Sequence, residues 1–118
     1  MPGVSIHVVD ISRGVVAAGM AVELHALSPG SAPRLIANGV ISASGTWDEP
    51  RLQQRFDPGS YEARFHVAAY YRAAGIPLPP EPFLDVVTYS FGIDDSTQHY
   101  HLPFKCTPWG YSCFRGGA

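Results

Sequence analysis

His99-Tyr100-His101-Leu102-Pro103-Phe104-Lys105-Cys106-Thr107-Pro108-Trp109-Gly110-Tyr111-Ser112-Cys113-Phe114-Arg115-Gly116-Gly117-Ala118 is the stretch from which the fold of this 118-residue chain can be read. Side chains alternate faces along an extended strand, so His99 and His101 share one side while Tyr100 takes the other. Thr107-Pro108-Trp109-Gly110 carries turn chemistry, with a proline fixing one φ and a glycine free to adopt a positive one. Tyr111 to Arg115 can then fold back antiparallel, which predicts a terminal β-hairpin with a polar, histidine-bearing face. A two-residue loop at Trp109-Gly110 would set Cys106 opposite Cys113 as a redox pair. Reduced thiols are the plainer expectation, because two cysteines do not make a disulfide scaffold.

The rest of the chain reads as the same kind of structure. Val4 to Asp10 is a strand with Ser5, His7 and Val9 on one face and Val4, Ile6 and Val8 on the other. Strands are also expected at Met20–Leu27 and Arg34–Ile41, with a short one near Thr46–Asp48 that Pro50 limits. Ser60–Phe65, after the Asp57-Pro58-Gly59 turn, and Phe83–Phe91 complete the set before the hairpin. One helix is predicted at Val67–Ala74, alanine-rich and stopped by Gly75 with Pro77 beyond. Eight short strands and one small helix argue for an all-β sandwich in a single domain, 1–118.

Composition excludes several function classes. A net charge of −2 with scattered basic residues provides no stripe for a nucleic-acid backbone. No apolar run is long enough to cross a bilayer and no export signal precedes the first strand, so a cytoplasmic protein without a membrane partner is expected. With 46% hydrophobic and 15% charged residues, the surface is apolar enough to predict self-association.

The local strings also carry a resemblance. Ile6-His7-Val8-Val9-Asp10, Gly14 with Ala17-Ala18-Gly19-Met20, Gly59-Ser60-Tyr61, the short helix, Asp94-Asp95, His99-Tyr100-His101-Leu102-Pro103, Pro108-Trp109-Gly110-Tyr111-Ser112 and Arg115-Gly116 occur in an order similar to that of the transthyretin-like family. Within it, the chain resembles the 5-hydroxyisourate hydrolases of urate breakdown. The resemblance implies a sandwich of two four-stranded antiparallel sheets, assembled as a homotetramer (a dimer of dimers) around a channel that holds the active sites. It implies His7 and His101 as catalytic residues, and Thr46, Phe114, Arg115 and Gly116 around a small heterocyclic substrate, with no metal and no cofactor. Imidazole suits such a reaction, since its ordinary pKa lets it take a proton from water and return one to a leaving nitrogen.

Three positions depart from the hydrolase pattern. Thr46 stands where those enzymes carry an arginine, Phe114 replaces a tyrosine, and Gly117 replaces a serine and is followed by Ala118. Exchanging a charged planar fork for one neutral hydroxyl removes a contact of about 1.5–3 kcal/mol. Arg51 is a substitute to be looked for near the site. Trp47 is either a packing residue or a flat wall for a planar ring. Other arrangements compatible with these residues are a zinc site on His7, His99 and His101, a Cys113–His101 nucleophilic pair, acid–base chemistry on a different heterocycle, and a transthyretin-like small-ligand carrier. His25 and His66 have no evident partner.

Overall fold

Val4, Ile6 and Val8 alternate with Ser5, His7 and Val9 along β1 (Gly3–Asp10), the first set buried and the second half-buried, as a strand with one face on a core requires. The structure, a computed structural model, describes residues 1–117; Ala118 lies outside the described residues. Among them the chain continues through β2 (Val15–Val16), β3 (Ala21–Leu27), β4 (Arg34–Val40), β5 (Gly59–His66), α1 (Val67–Ala73), β6 (Val86–Ile93), β7 (His99–Thr107) and β8 (Gly110–Cys113). The strands form two four-stranded sheets, in the orders β2-β1-β7-β8 and β4-β3-β5-β6. This is the expected sandwich with its short helix. Phe65 of β5 stacks on Phe104 of β7 with centroids 3.9 Å apart, so the two sheets meet through a pair of fully buried rings.

Three local expectations are corrected. The sheets are not wholly antiparallel, since β1 runs parallel to β7, from Gly3 beside His99 to Asp10 beside Cys106. A parallel pair demands a long crossover, and here the crossover carries the entire second sheet. The strand expected at Thr46–Asp48 is reduced to a single bridge between His7 and Thr46, because a short 3-10 helix at Pro50–Gln53, capped by the Glu49 carboxylate, takes over the chain. The eighth strand is β2 instead, a two-residue piece too short for periodicity to register.

The third correction is the hairpin register. Thr107 pairs with Gly110, Cys106 with Tyr111 and Phe104 with Cys113, so the loop is Pro108-Trp109. Proline holds the first central position of the turn, and Thr107 Oγ1 accepts a hydrogen bond from the Trp109 N–H at 3.0 Å. The cysteines are not directly opposed and both are free.

A buried carboxylate ties the helix to the first sheet. Asp10, the last residue of β1, is 0% exposed. It accepts hydrogen bonds from Ser12 Oγ at 2.6 Å, Tyr71 Oη at 2.7 Å, Tyr70 Oη at 3.0 Å and the Arg13 N–H at 3.3 Å. Burial pushes its pKa up, but the combined donors outweigh burial and hold it below the ordinary value. The same burial and the nearby carboxylate push Tyr70 up to about 12 and Tyr71 higher still. No helix among the described residues is long and apolar enough to cross a membrane.

Replacing Asp10 with Asn should cost about 2–4 kcal/mol at neutral pH, and Tyr71→Phe about 1–3 kcal/mol, both read from denaturant midpoints. Because the folded pKa of Asp10 is lowered, its stabilisation is complete above the unfolded value of about 4 and is lost as pH falls through the folded value. The stability gap between wild type and Asp10→Asn should therefore close on acidification below about pH 4. A gap that persists unchanged there would contradict this account.

Candidate active site

The parallel register of β1 and β7 sets Ser5 beside His101 and Gly3 beside His99. All three polar side chains leave the sheet on the face away from the core. Ser5 Oγ lies 2.7 Å from His99 Nε2 and 2.6 Å from His101 Nδ1, so one hydroxyl is held between two imidazoles. They form part of the wall of a cavity of about 670 Å³, with Thr46, Asp48 and Glu49 among the opposing residues. Burial pushes the His101 pKa down, and the positive charges that His99 and His7 can carry push it further. His101 is thus kept neutral near pH 7, with Nδ1 engaged by Ser5.

The segment 45–47 is laid along β1 by hydrogen bonds from the Val8 N–H to Gly45 O at 2.9 Å and from the Trp47 N–H to Ile6 O at 3.2 Å. Gly45 has φ +88°, and a Cβ there would stand 2.8 Å from His7 Nε2 and 2.7 Å from Val16 Cγ1. Only glycine fits between these groups. His7 consequently sits beneath this segment and does not contribute to the wall of the His101 cavity. Thr46 does line it, and its hydroxyl donates to Asp48 Oδ1 at 2.7 Å. A hydroxyl has one proton to give, so this corner offers a ligand the acceptor oxygens of Asp48 where an arginine would offer donors. Trp47 is 6% exposed and belongs to the core, as the packing reading expects, and it is also among the residues that line the cavity.

The C-terminal tail returns to β7. The Gly116 N–H donates to His101 O at 2.7 Å, and a Cβ at this glycine would fall 2.9 Å from His101 Cδ2. Arg115 lies over the ring of Tyr100 at 4.0 Å and donates to Gln98 Oε1 at 2.9 Å and His99 O at 3.2 Å. Tyr100 leaves β7 on the face opposite the histidines, so Arg115 braces the tail and stays out of the cavity. Phe114 is exposed, with Lys105 Nζ 5.8 Å from its ring centre. Arg51 grips Glu49 with two donors at 3.1 Å and supplies no arginine to the cavity wall.

Of the six residues singled out in the sequence, the structure sets His101 and Thr46 in the cavity wall, His7 and Gly116 against those two, and Phe114 and Arg115 outside. The sequence reading missed Ser5 and Asp48. Ser5 shares the strand phase of His7, and that alternation was the signal that could have found it. Cys113 packs on the core side of β8, where burial pushes its thiol up to about 11, far from a thiolate partner for His101. Among the described residues no three His, Cys, Asp or Glu side chains converge as ligands to a metal. His25 and His66, without evident partners in the sequence, both reach the Glu23 carboxylate on the second sheet, at 2.8 and 2.5 Å.

This geometry sits on a chain with close relatives. It is 40% identical over 116 residues to a 5-hydroxyisourate hydrolase of Deinococcus radiodurans, covering 98% of this chain and 96% of that one. Among solved structures, Klebsiella pneumoniae 5-hydroxyisourate hydrolase superposes with a TM-score of 0.81 at 30% identity, over 99% of this chain and 100% of that one. (S)-allantoin synthase gives a TM-score of 0.87 at 33% identity over 98% of this chain, which spans 43% of the length of that protein. The model of the HIUase/Transthyretin family matches residues 4–116, and with relatives at this level over almost its whole length the chain belongs to that family.

Proposed function

We propose that this chain is a hydrolase that opens the ring of 5-hydroxyisourate, or of a closely related cyclic ureide, by histidine-assisted addition of water. The observation that carries the reading is His101, which lines the cavity with Nδ1 engaged by Ser5 and Nε2 without a protein hydrogen-bond partner among the described residues, its pKa lowered by burial and by His99 and His7. The names borne by the relatives supply the substrate class. His101 Nε2 takes a proton from water as the oxygen bonds to a ring carbonyl carbon. The carbon–nitrogen bond then breaks, and the same proton passes to the leaving nitrogen. His7 acts from beneath Gly45 by disfavouring a resident proton on His101 and by fixing the segment that presents Thr46 to the substrate. Gly116 lets the tail close on the His101 ring, and Phe114 and Arg115 hold that tail in place. The reaction calls on no cofactor.

His101→Ala should lower kcat by about 10²–10⁴-fold in an assay following the ultraviolet decay of freshly made 5-hydroxyisourate. A well-folded wild type that does not accelerate the decay would sink the proposal. The base must be unprotonated, and its pKa is lowered, so kcat/KM should stay flat to below the ordinary histidine value of about 6.5 and fall only as pH drops through the lowered one.

A homotetramer in the cytoplasm fits this reading. Each sheet ends in strands with an unpaired edge, β2 and β8 in the first and β4 and β6 in the second, the usual invitation to a second copy. The cavity opens on the face of the first sheet, where a facing copy would enclose it. Light scattering should give four chain masses, and a monomer at assay concentration would overturn the assembly.

The bond from Thr46 to Asp48 favours a second substrate reading, a heterocycle that presents an N–H where the arginine-bearing hydrolases bind oxygen. Asp48→Asn should then reduce kcat/KM by about tenfold for the preferred ring, and methylation of that ring nitrogen should do the same in wild type. Equal turnover of methylated and unmethylated rings would exclude it.

A further inference from the structure

The hydroxyl of Ser5 has a single proton and stands between two imidazole nitrogens, 2.7 Å from His99 Nε2 and 2.6 Å from His101 Nδ1. If it donates to one, it must accept from the other. The protonation of His99 Nε2 and of His101 Nδ1 is therefore complementary, and the tautomer of one ring dictates that of the other. The geometry points to a proton relay, His101–Ser5–His99, in which Ser5 and His99 move the positive charge away from the base during water attack; this rests on the hydrolytic role proposed for His101.

The resting arrangement has the proton of His101 on Nδ1, donated to Ser5, with the Ser5 proton donated to His99 Nε2. That leaves His101 Nε2 free to act as base. When Nε2 takes the proton of the attacking water, the Nδ1 proton passes to Ser5 Oγ and the Ser5 proton passes to His99 Nε2. The imidazolium charge then resides on His99, and the new carbon–oxygen bond has formed. As the ring carbon–nitrogen bond breaks, the leaving nitrogen takes the Nε2 proton, the two transfers reverse, and all three side chains return to their starting states. Each transfer is a short hop between atoms already in hydrogen-bond contact. The relay is useful here because His101 is a poor place to hold a charge, being half-buried and flanked by His99 and His7. Ser5 and His99 are positioning residues in this scheme, acting on the substrate only through His101.

Ser5→Ala should lower kcat by about tenfold to a hundredfold with KM nearly unchanged, and Ser5→Thr, which keeps the hydroxyl, should restore most of it. His99→Gln should give a similar loss, and the double variant Ser5→Ala/His99→Gln should be no worse than either alone, because both break one chain. Wild-type rates in mixtures of light and heavy water should curve with deuterium content, whereas Ser5→Ala should give a straight line. Additive losses, or single variants within about twofold of wild type, would overturn the relay. Imidazole ¹⁵N spectra of the substrate-free protein test it without any turnover. Above both titrations, the protonated fractions of His99 Nε2 and His101 Nδ1 should sum to unity in wild type and lose that relation in Ser5→Ala. Fractions that fail to sum in wild type would remove the relay even if the hydrolase assay succeeds, and fractions that sum in a protein without hydrolase activity would remove the substrate assignment alone.

Discussion

The parallel pairing of β1 with β7 is the constraint on which the rest of the structure depends. It joins residues more than ninety positions apart in sequence, Ser5 to His101, and it closes the first sheet around a crossover that contains the second. Strand register has period two, so a slip by one residue would send Ser5 and His7 into the core and Val4 and Ile6 onto the polar face. The core therefore enforces the geometry of the site. Phe104 can stack on Phe65 only if β7 keeps its phase, and that same phase turns His99 and His101 outward.

Two polar centres on β1 illustrate how the same strand serves stability and chemistry. At its end, Asp10 accepts from four donors, two of them on α1. Such a centre is fully satisfied and has one arrangement. Near its beginning, Ser5 lies between two groups that can each give or take, so its protons have two alternative arrangements. The first fixes the helix to the sheet; the second leaves protons free to move while the heavy atoms stay still.

Local patterns made most of the fold legible. The alternation in Val4–Asp10, Ser60–Phe65 and His99–Thr107 corresponds to burial in the structure, and Gly75 ends the helix region as its position implied. What was not legible depends on distant partners. The direction of β1 against β7 has no signature in either strand, and Ser5 becomes part of a site only when His101 arrives beside it. The hairpin loop was displaced by one residue because Pro108-Trp109 and Trp109-Gly110 both carry turn chemistry, and the Thr107 hydroxyl decides between them. Thr46 was singled out in the sequence, but the orientation of its hydroxyl toward Asp48 comes with the 3-10 helix that follows, which no periodicity announces.

The ends of the described chain lie at the cavity. Met1 and Pro2 contribute to its wall, and Gly116 is hydrogen-bonded to the backbone of His101. Bulk introduced at Pro2 or Gly116 would therefore crowd the reacting groups and compete with substrate for the same opening. The exposed loop Ser28-Pro29-Gly30-Ser31-Ala32-Pro33, between β3 and β4, is the better place for a reporter or an inserted epitope, since it hangs from the other sheet and touches none of the residues discussed above.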